Sequence, residues 1–312
     1  MRQCVLELVL VVVLIGSAAA AEEASQVVLG LAAKYPGDVG IAGDPAVLFH
    51  DDFEVKEVGA RWDWVRGEEA VTGDRDPELA LGGQSARFVV AKGRNTDAGA
   101  WKRIPPQDEV YMRGYVRYGK DFGFLHHGGF GYCATASPER FGPGGHAGRA
   151  PKGDAFFWNT LEPVGRPGRG VSPPGRLMFY GYWWKMKPDG RGNYWGNLFK
   201  PEPPQDPGLE KWTCVEWRVK ANTPGEPDGE LDCWIEGVHC GAFREINWRS
   251  SGDLKVNQVH LSLYLEWSDF DRYGDGGDTR TVWYDDVVVA TNYIGPKAEA
   301  QGSAEGGERA RP

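Results

Sequence analysis

The chain has 312 residues, 44 Asp and Glu against 35 Lys and Arg, and a formal net charge of -9. That balance excludes the basic face expected of a nucleic-acid binder, although a local cluster of Arg, Lys and His could still meet an anionic sugar polymer. The 44 Gly and 21 Pro provide for many turns, and the 13 Trp exceed core needs and suggest stacking surfaces.

The N-terminus has Arg2, Glu7, an apolar run from Leu8 to Ile15, then Gly16-Ser17 and four alanines. A positive start, a short apolar core and a small-residue site read as a secretory signal peptide over 1–21, cut after Ala20 or Ala21. The run is too short for a bilayer, which needs about 20 apolar residues. Losing Arg2 and Glu7 together leaves the net charge at -9. No lipid-anchor cysteine follows the run, and there is no second long apolar segment. The expectation is a secreted or periplasmic protein, free of membrane after cleavage and monomeric. Residues 22–45 read as a helical or irregular lead-in and 46–296 as one large sandwich domain. The tail, 297–312, is small and charged and is expected to be disordered.

Strands begin at Val47-Leu48-Phe49. Further on, Tyr111, Arg113, Tyr115 and Arg117 alternate onto one face. A Gly-containing loop then carries His126 and His127. The segments Ser137 to Gly153, with His146, Arg149 and Lys152, and Gly165 to Gly175 read as mobile loops; long loops are commonly functional or disordered. Tyr180, Tyr182 and Trp184 share a face. From Trp212 to Gly237 two alternating strands flank a turn-rich loop: Val215, Trp217, Val219 and Ala221 face one way, Cys214, Glu216, Arg218 and Lys220 the other. In the next clear strand Val259, Leu261, Leu263, Leu265 and Trp267 oppose His260, Ser262, Tyr264 and Glu266. Period-two strands with Gly/Pro turns and no long helix predict an all-β jelly roll or sandwich.

Beyond Cys4 the cysteines are Cys133, Cys214, Cys233 and Cys240. If Glu236-Gly237 is a two-residue turn, Cys233 falls opposite Cys240, at a spacing a disulfide can bridge; the alternative is four reduced or core thiols. No C-x-x-C pair and no clustered His suggest zinc.

Flat aromatics stack on sugars, and Arg forks hold carboxylates by paired hydrogen bonds. The Tyr, Trp and Arg faces, with the basic loops, favour a saccharide cleft over ordinary strand surfaces. Arg113, Arg117, Trp184, Lys185, Tyr264 and Glu266 are its candidate binding residues.

The segments EVYMRGYVRYGKDFGF, FYGYWWKM, YWGN, the Trp-to-Asp-Gly hairpin and TVWYDDVVV follow one another in an order that resembles polysaccharide lyases with a concanavalin-A-like jelly roll. The alginate and glucuronan lyases are the nearest such enzymes, and the resemblance spans Leu48 to Ile294. It implies β-elimination on a uronate-containing polysaccharide, with no organic cofactor. In that group a Y-x-Y strand supplies an acid/base tyrosine, which matches Tyr180-Gly181-Tyr182. A K-x-P-G loop there is His126-His127-Gly128-Gly129 here, so His126 takes the Lys position. An S-x-R strand there looks like Phe157-Trp158-Asn159. Such a site must neutralise the carboxylate, remove the proton beside it and protonate the leaving oxygen. Asn159 or Arg113 could neutralise, His126 or His127 could be the base, and Tyr182 the acid or base.

Two other acid groups invite functional readings. Glu230, Asp232 and Glu236 spell E-x-D-x-x-x-E, which resembles the catalytic strand of retaining β-glucanases of the same fold superfamily; the turn residues at both ends favour a plain return strand. Carbohydrate-binding jelly rolls often join their first and last strands through a structural Ca²⁺. Glu54 and Asp285 are the candidate ligands here, with backbone oxygens near Gly83 to Ser85; solvated or paired acids are the alternative. A non-catalytic carbohydrate-binding sandwich remains the other reading of the whole.

Overall fold

The computed structural model describes residues 29–124, 126–142, 147–265, 270 and 277–299. The expected signal segment, His146, Glu266, Trp267 and most of the tail lie outside the described residues.

Among the described residues fifteen strands form the fold: β1 (Val47–Asp51), β2 (Trp64–Arg66), β3 (Val71–Asp74), β4 (Ser85–Ala91), β5 (Asp97–Gln107), β6 (Glu109–Tyr118), β7 (Gly128–Thr135), β8 (Phe156–Val164), β9 (Arg176–Tyr182), β10 (Asn197–Phe199), β11 (Trp212–Lys220), β12 (Gly229–Ile235), β13 (Val238–Ile246), β14 (Val256–Tyr264) and β15 (Thr279–Ala290). An eight-stranded sheet runs β13-β12-β11-β6-β15-β4-β3, with β1 also on β15. A seven-stranded sheet runs β10-β9-β8-β7-β14-β5-β2. All pairings are antiparallel. The architecture is the expected β-sandwich of jelly-roll type, and four short 3-10 turns accompany the strands among the described residues.

Alternation places the core. Val215, Trp217 and Val219 of β11 and Val110, Met112 and Val116 of β6 point inward from the larger sheet. Phe130 and Tyr132 of β7, Phe157 and Leu161 of β8 and Val259, Leu261 and Leu263 of β14 meet them from the smaller. Large aromatics interlock at the centre: Tyr132 lies 4.8 Å from Trp217, and Phe157 5.6 Å from Trp248, between ring centroids. Aromatic contacts of this kind contribute about 0.5–1.5 kcal/mol beyond their buried area.

The lead-in is built into the fold rather than appended to it. Three 3-10 turns between Leu31 and Gly43 bury Leu31, Ala32 and Ile41 against Val288, Ala290 and Ile294. They cover the outward face of β6, which changes the fate of its charged residues. Arg113 is fully buried there, bonded to Asp38 at 2.5 Å and to the Asp286 carbonyl at 2.9 Å. Arg117 donates to the carbonyl of Glu210 and lies over Trp283. Both sit on the outer side of the larger sheet, so neither lines a cleft with Tyr180. The period-two reading of β6 holds; the sheet it belongs to differs from expectation.

The Cys233–Cys240 pairing also shifts. Ile235 does oppose Val238, but the register slips between Cys233 and Trp234 and sets Cys233 opposite Gly241. The two thiols lie 3.5 Å apart and both are free. A one-residue bulge is enough to undo a pairing inferred from turn length.

Candidate functional site

The outward face of the smaller sheet carries a groove of about 470 Å³. Its walls are aromatic, including Trp64, Trp101, Phe141, Trp158, Trp195 and Tyr264. The volume falls in the range of roughly 300–1,000 Å³ usual for ligand sites.

One cross-strand row sets the floor. Trp101 of β5 pairs with His260 of β14, His260 with Gly131 of β7, Gly131 with Thr160 of β8, and Thr160 with Tyr180 of β9. Their side chains share a face because strand residues in register do. Gly131 is needed there: a Cβ at that position would lie 2.2 Å from His260 Cε1. The open space lets His260 Nε2 reach Thr160 Oγ1 at 3.1 Å. The His260 ring stacks on Trp101 at 4.2 Å and lies parallel to Trp158 at 6.0 Å. Burial pushes its pKa down to about 3, so it is neutral, and its Nδ1 has no partner.

Tyr180 and Tyr182 share the groove face of β9, with hydroxyls 3.1 Å apart. The Gly196 N–H donates to the Tyr180 hydroxyl at 3.0 Å. Burial and the Tyr182 hydroxyl raise the Tyr180 pKa, so Tyr180 keeps its proton. With one acceptor position used by Gly196, that proton is available to the Tyr182 oxygen.

Beside them, His126 and His127 stack on each other at 3.7 Å and meet the Tyr180 ring at 4.6 and 5.1 Å. His127 has a φ of 87°, an uncommon backbone for a non-glycine residue, and its carbonyl accepts the Tyr264 N–H at 2.8 Å. Both imidazoles aim Nδ1 at one oxygen of Glu162, at 2.7 and 3.3 Å. Glu162 is 1% exposed, at the end of β8. Burial alone would raise its pKa, but the His127 and His126 rings beside it outweigh this and hold it at about 2.

The structure therefore brings together His126, His127, Tyr180, Tyr182 and Tyr264. Glu162 and His260 join them; sequence reasoning had not singled out either as a site residue. Both stand at alternate positions on recognisable strands, the only signal that could have marked them. Asn159 is buried and opposes Tyr132 in β7. It alternates with Trp158 and Thr160, so it points between the sheets and not into the groove. Trp184 and Lys185 occupy the turn after β9, with the ammonium 4.2 Å over the Trp184 ring, and do not line the groove.

The remaining acids lie elsewhere. Arg218 of β11 binds Glu230 at 2.7 Å and Asp232 at 2.6 Å, and Glu236 turns back to accept the Cys214 N–H. The E-x-D-x-x-x-E segment is thus the paired return strand of a hairpin. Glu54 accepts the N–H groups of Gly83 and Gln84, at 2.6 and 3.0 Å. Asp285 accepts from the Ser85 hydroxyl and the Asp286 N–H. These neighbours are hydrogen-bond donors, whereas calcium needs a shell of six to eight oxygens. The residues as arranged do not fit that ion.

No family model matches the chain, and no curated protein sequence does. Solved structures do. An alginate lyase from Chlorella virus is similar at a TM-score of 0.54 and 16% identity, over 78% of this chain and 99% of that one. The marine PL-14 alginate lyase from Aplysia kurodai is similar at 0.54 and 15%, over 79% and 97%. A mutant of alginate lyase Aly36B in complex with alginate tetrasaccharide gives 0.53 and 12%, over 80% and 95%. At these identities the likeness is one of fold.

Proposed function

We propose that the protein is an exported polysaccharide lyase that cleaves a uronate-containing polymer by β-elimination in the aromatic groove. The observation that carries this is the Tyr180–Tyr182 hydroxyl pair set against the His126-His127 stack on a buried carboxylate. The aromatic walls fit the flat faces of sugar rings, and the similarity of fold to alginate lyases is consistent with a polymer of that class.

Elimination has three requirements. The substrate carboxylate must be neutralised, because removing the adjacent proton makes a dianion. With Arg113 and Asn159 outside the groove, that role passes to the His126-His127 pair. A base must take the proton, and we assign that role to Tyr182, whose hydroxyl lies on the groove 3.1 Å from that of Tyr180. The carbon–oxygen bond to the neighbouring sugar then breaks as the double bond forms. The leaving oxygen receives the proton that Tyr182 has taken. Acid–base contributions of this kind are about 10²–10⁴-fold.

One observation favours a second reading. Arg66 lines the groove but is paired with Asp97 at 2.6 Å, so its charge is already engaged. A sandwich that only binds polysaccharide would need no more. Incubation with glucuronan, alginate and a neutral β-glucan separates the readings. An ultraviolet-absorbing unsaturated end from an acidic polymer supports the lyase. Reducing ends without that absorbance would indicate hydrolysis, and binding without either product would leave the carbohydrate-binding reading.

A further inference from the structure

We infer that His126, His127 and Glu162 form a binding site for a single divalent transition-metal ion, zinc fitting best, open to the groove. The inference rests on the lyase reading for its role, but not for its existence.

One ligand atom from each of the three residues lies within 4.8 Å of the other two. Two imidazoles and a carboxylate are the donor set of an open zinc site, which leaves a fourth position for water or substrate. Tetrahedral bonds of about 2.0–2.1 Å would set neighbouring ligand atoms roughly 3.3 Å apart. The His127 Nδ1 to Glu162 Oε1 distance is 3.3 Å, and the His126 distance of 2.7 Å requires only a small opening.

A second observation points to a missing ligand. His126 Nδ1 and both oxygens of Glu162 are buried without a properly directed hydrogen bond. Glu162 is 1% exposed and meets only the two ring nitrogens, both at Oε1, which leaves Oε2 buried with no partner; a buried polar atom left so costs about 1–3 kcal/mol. Two ring nitrogens converging on one oxygen, with the other oxygen empty, is poor hydrogen bonding but suitable coordination. The left-handed backbone at His127 is what lets adjacent residues aim both rings the same way. The sequence shows only two adjacent histidines and no zinc spacing; Glu162 arrives through the β7–β8 pairing, which local spacing does not reveal.

The site also answers a chemical need. Among the described residues lining the groove, Arg66 is paired with Asp97. A divalent ion on one carboxylate keeps one net positive charge, and its open position would take the uronate carboxylate. That neutralises the group without using either histidine as the base, which leaves proton transfer to Tyr182.

The test uses the full protein, stripped with chelator and then dialysed against zinc. Metal content by elemental analysis should be one zinc per chain, and cobalt in its place should give the visible absorbance of a four-coordinate site. His127→Ala and Glu162→Gln should weaken zinc binding by more than the roughly 10–100-fold that loss of a supporting partner costs. His127 is part-exposed, so its variant is expected to fold even if the buried Glu162 variant does not. Glu54→Ala should bind zinc as wild type does. No stoichiometric zinc in the wild type, or equal zinc in folded His127→Ala, overturns the site. Zinc uptake without any polymer cleavage would keep the site and remove the lyase reading; full cleavage by zinc-free protein would keep the lyase reading and remove the ion's role in it.

Discussion

The two sheets bury their acids in opposite ways. On the larger sheet, Glu216 is 2% exposed and both its oxygens accept backbone N–H groups, from Ile294 and Gly295 at 2.8 Å each. Arg113 nearby is closed by Asp38 and the Asp286 carbonyl. On the smaller sheet, Glu162 is equally buried, yet neither oxygen has a well-directed partner. His260 Nδ1 is likewise unpartnered. Burial alone therefore does not distinguish scaffold from site. The surroundings of the two glutamates do: Glu216 has both oxygens bonded to backbone and holds the fold, whereas Glu162 faces two imidazoles with one oxygen left open beside a groove.

The sharpest way to break the comparison is Tyr182→Phe. It should lower turnover about 10²–10⁴-fold while polymer affinity stays near wild type, because only the hydroxyl is lost. Steady-state kinetics beside equilibrium binding would show this, and wild-type turnover would remove Tyr182 from the site. Arg113→Ala is the counterpart on the other sheet. Leaving Asp38 buried and unpaired should cost about 3–5 kcal/mol of stability in a denaturation curve, with kcat of the folded fraction unchanged. Impaired catalysis at unchanged stability would mean that the outer sheet takes part in the chemistry.

Smaller effects sharpen the account. Gly131→Ala forces His260 out of its slot against Thr160, so activity should fall roughly tenfold or more, consistent with the sensitivity of sites to about 1 Å of misplacement. Trp195, 49% exposed at the groove, should affect binding rather than chemistry. Its change to Ala should raise KM a few-fold, as loss of about 0.5–1.5 kcal/mol of aromatic contact would. Last is a pH effect. Burial pushes the Glu216 carboxyl up to about 7 against the hydrogen bonds of Ile294 and Gly295. A raised folded-state pKa stabilises fully below the ordinary value and is lost as pH rises through the folded one. Melting temperature should thus decline between about pH 4.5 and 7, and Glu216→Gln should flatten that slope.

Much of the fold was legible because period-two patterns survive in a single strand. The faces of β11 and β14 were assigned correctly from alternation alone. Alternation does not say which sheet a strand joins, so Arg113 and Arg117 were placed in the cleft when β6 lies in the other layer. Asn159 failed differently: a motif match ignored that Trp158 and Thr160 take the groove side. Tyr180, Tyr182 and the two histidines were legible through local motif. Glu162 and His260 were not, because each acquires its meaning from strands distant in the chain. The lead-in gave no sign that Asp38 would close over Arg113, since that contact spans 75 positions.

The central claim, that the groove eliminates rather than hydrolyses, is tested most directly by cleaving an acidic polyuronate in water enriched in heavy oxygen and weighing the fragments. Elimination predicts unsaturated oligosaccharides that have gained no water and carry no solvent oxygen. Fragments that have gained one water per cut, with solvent oxygen in the new reducing ends, would contradict it.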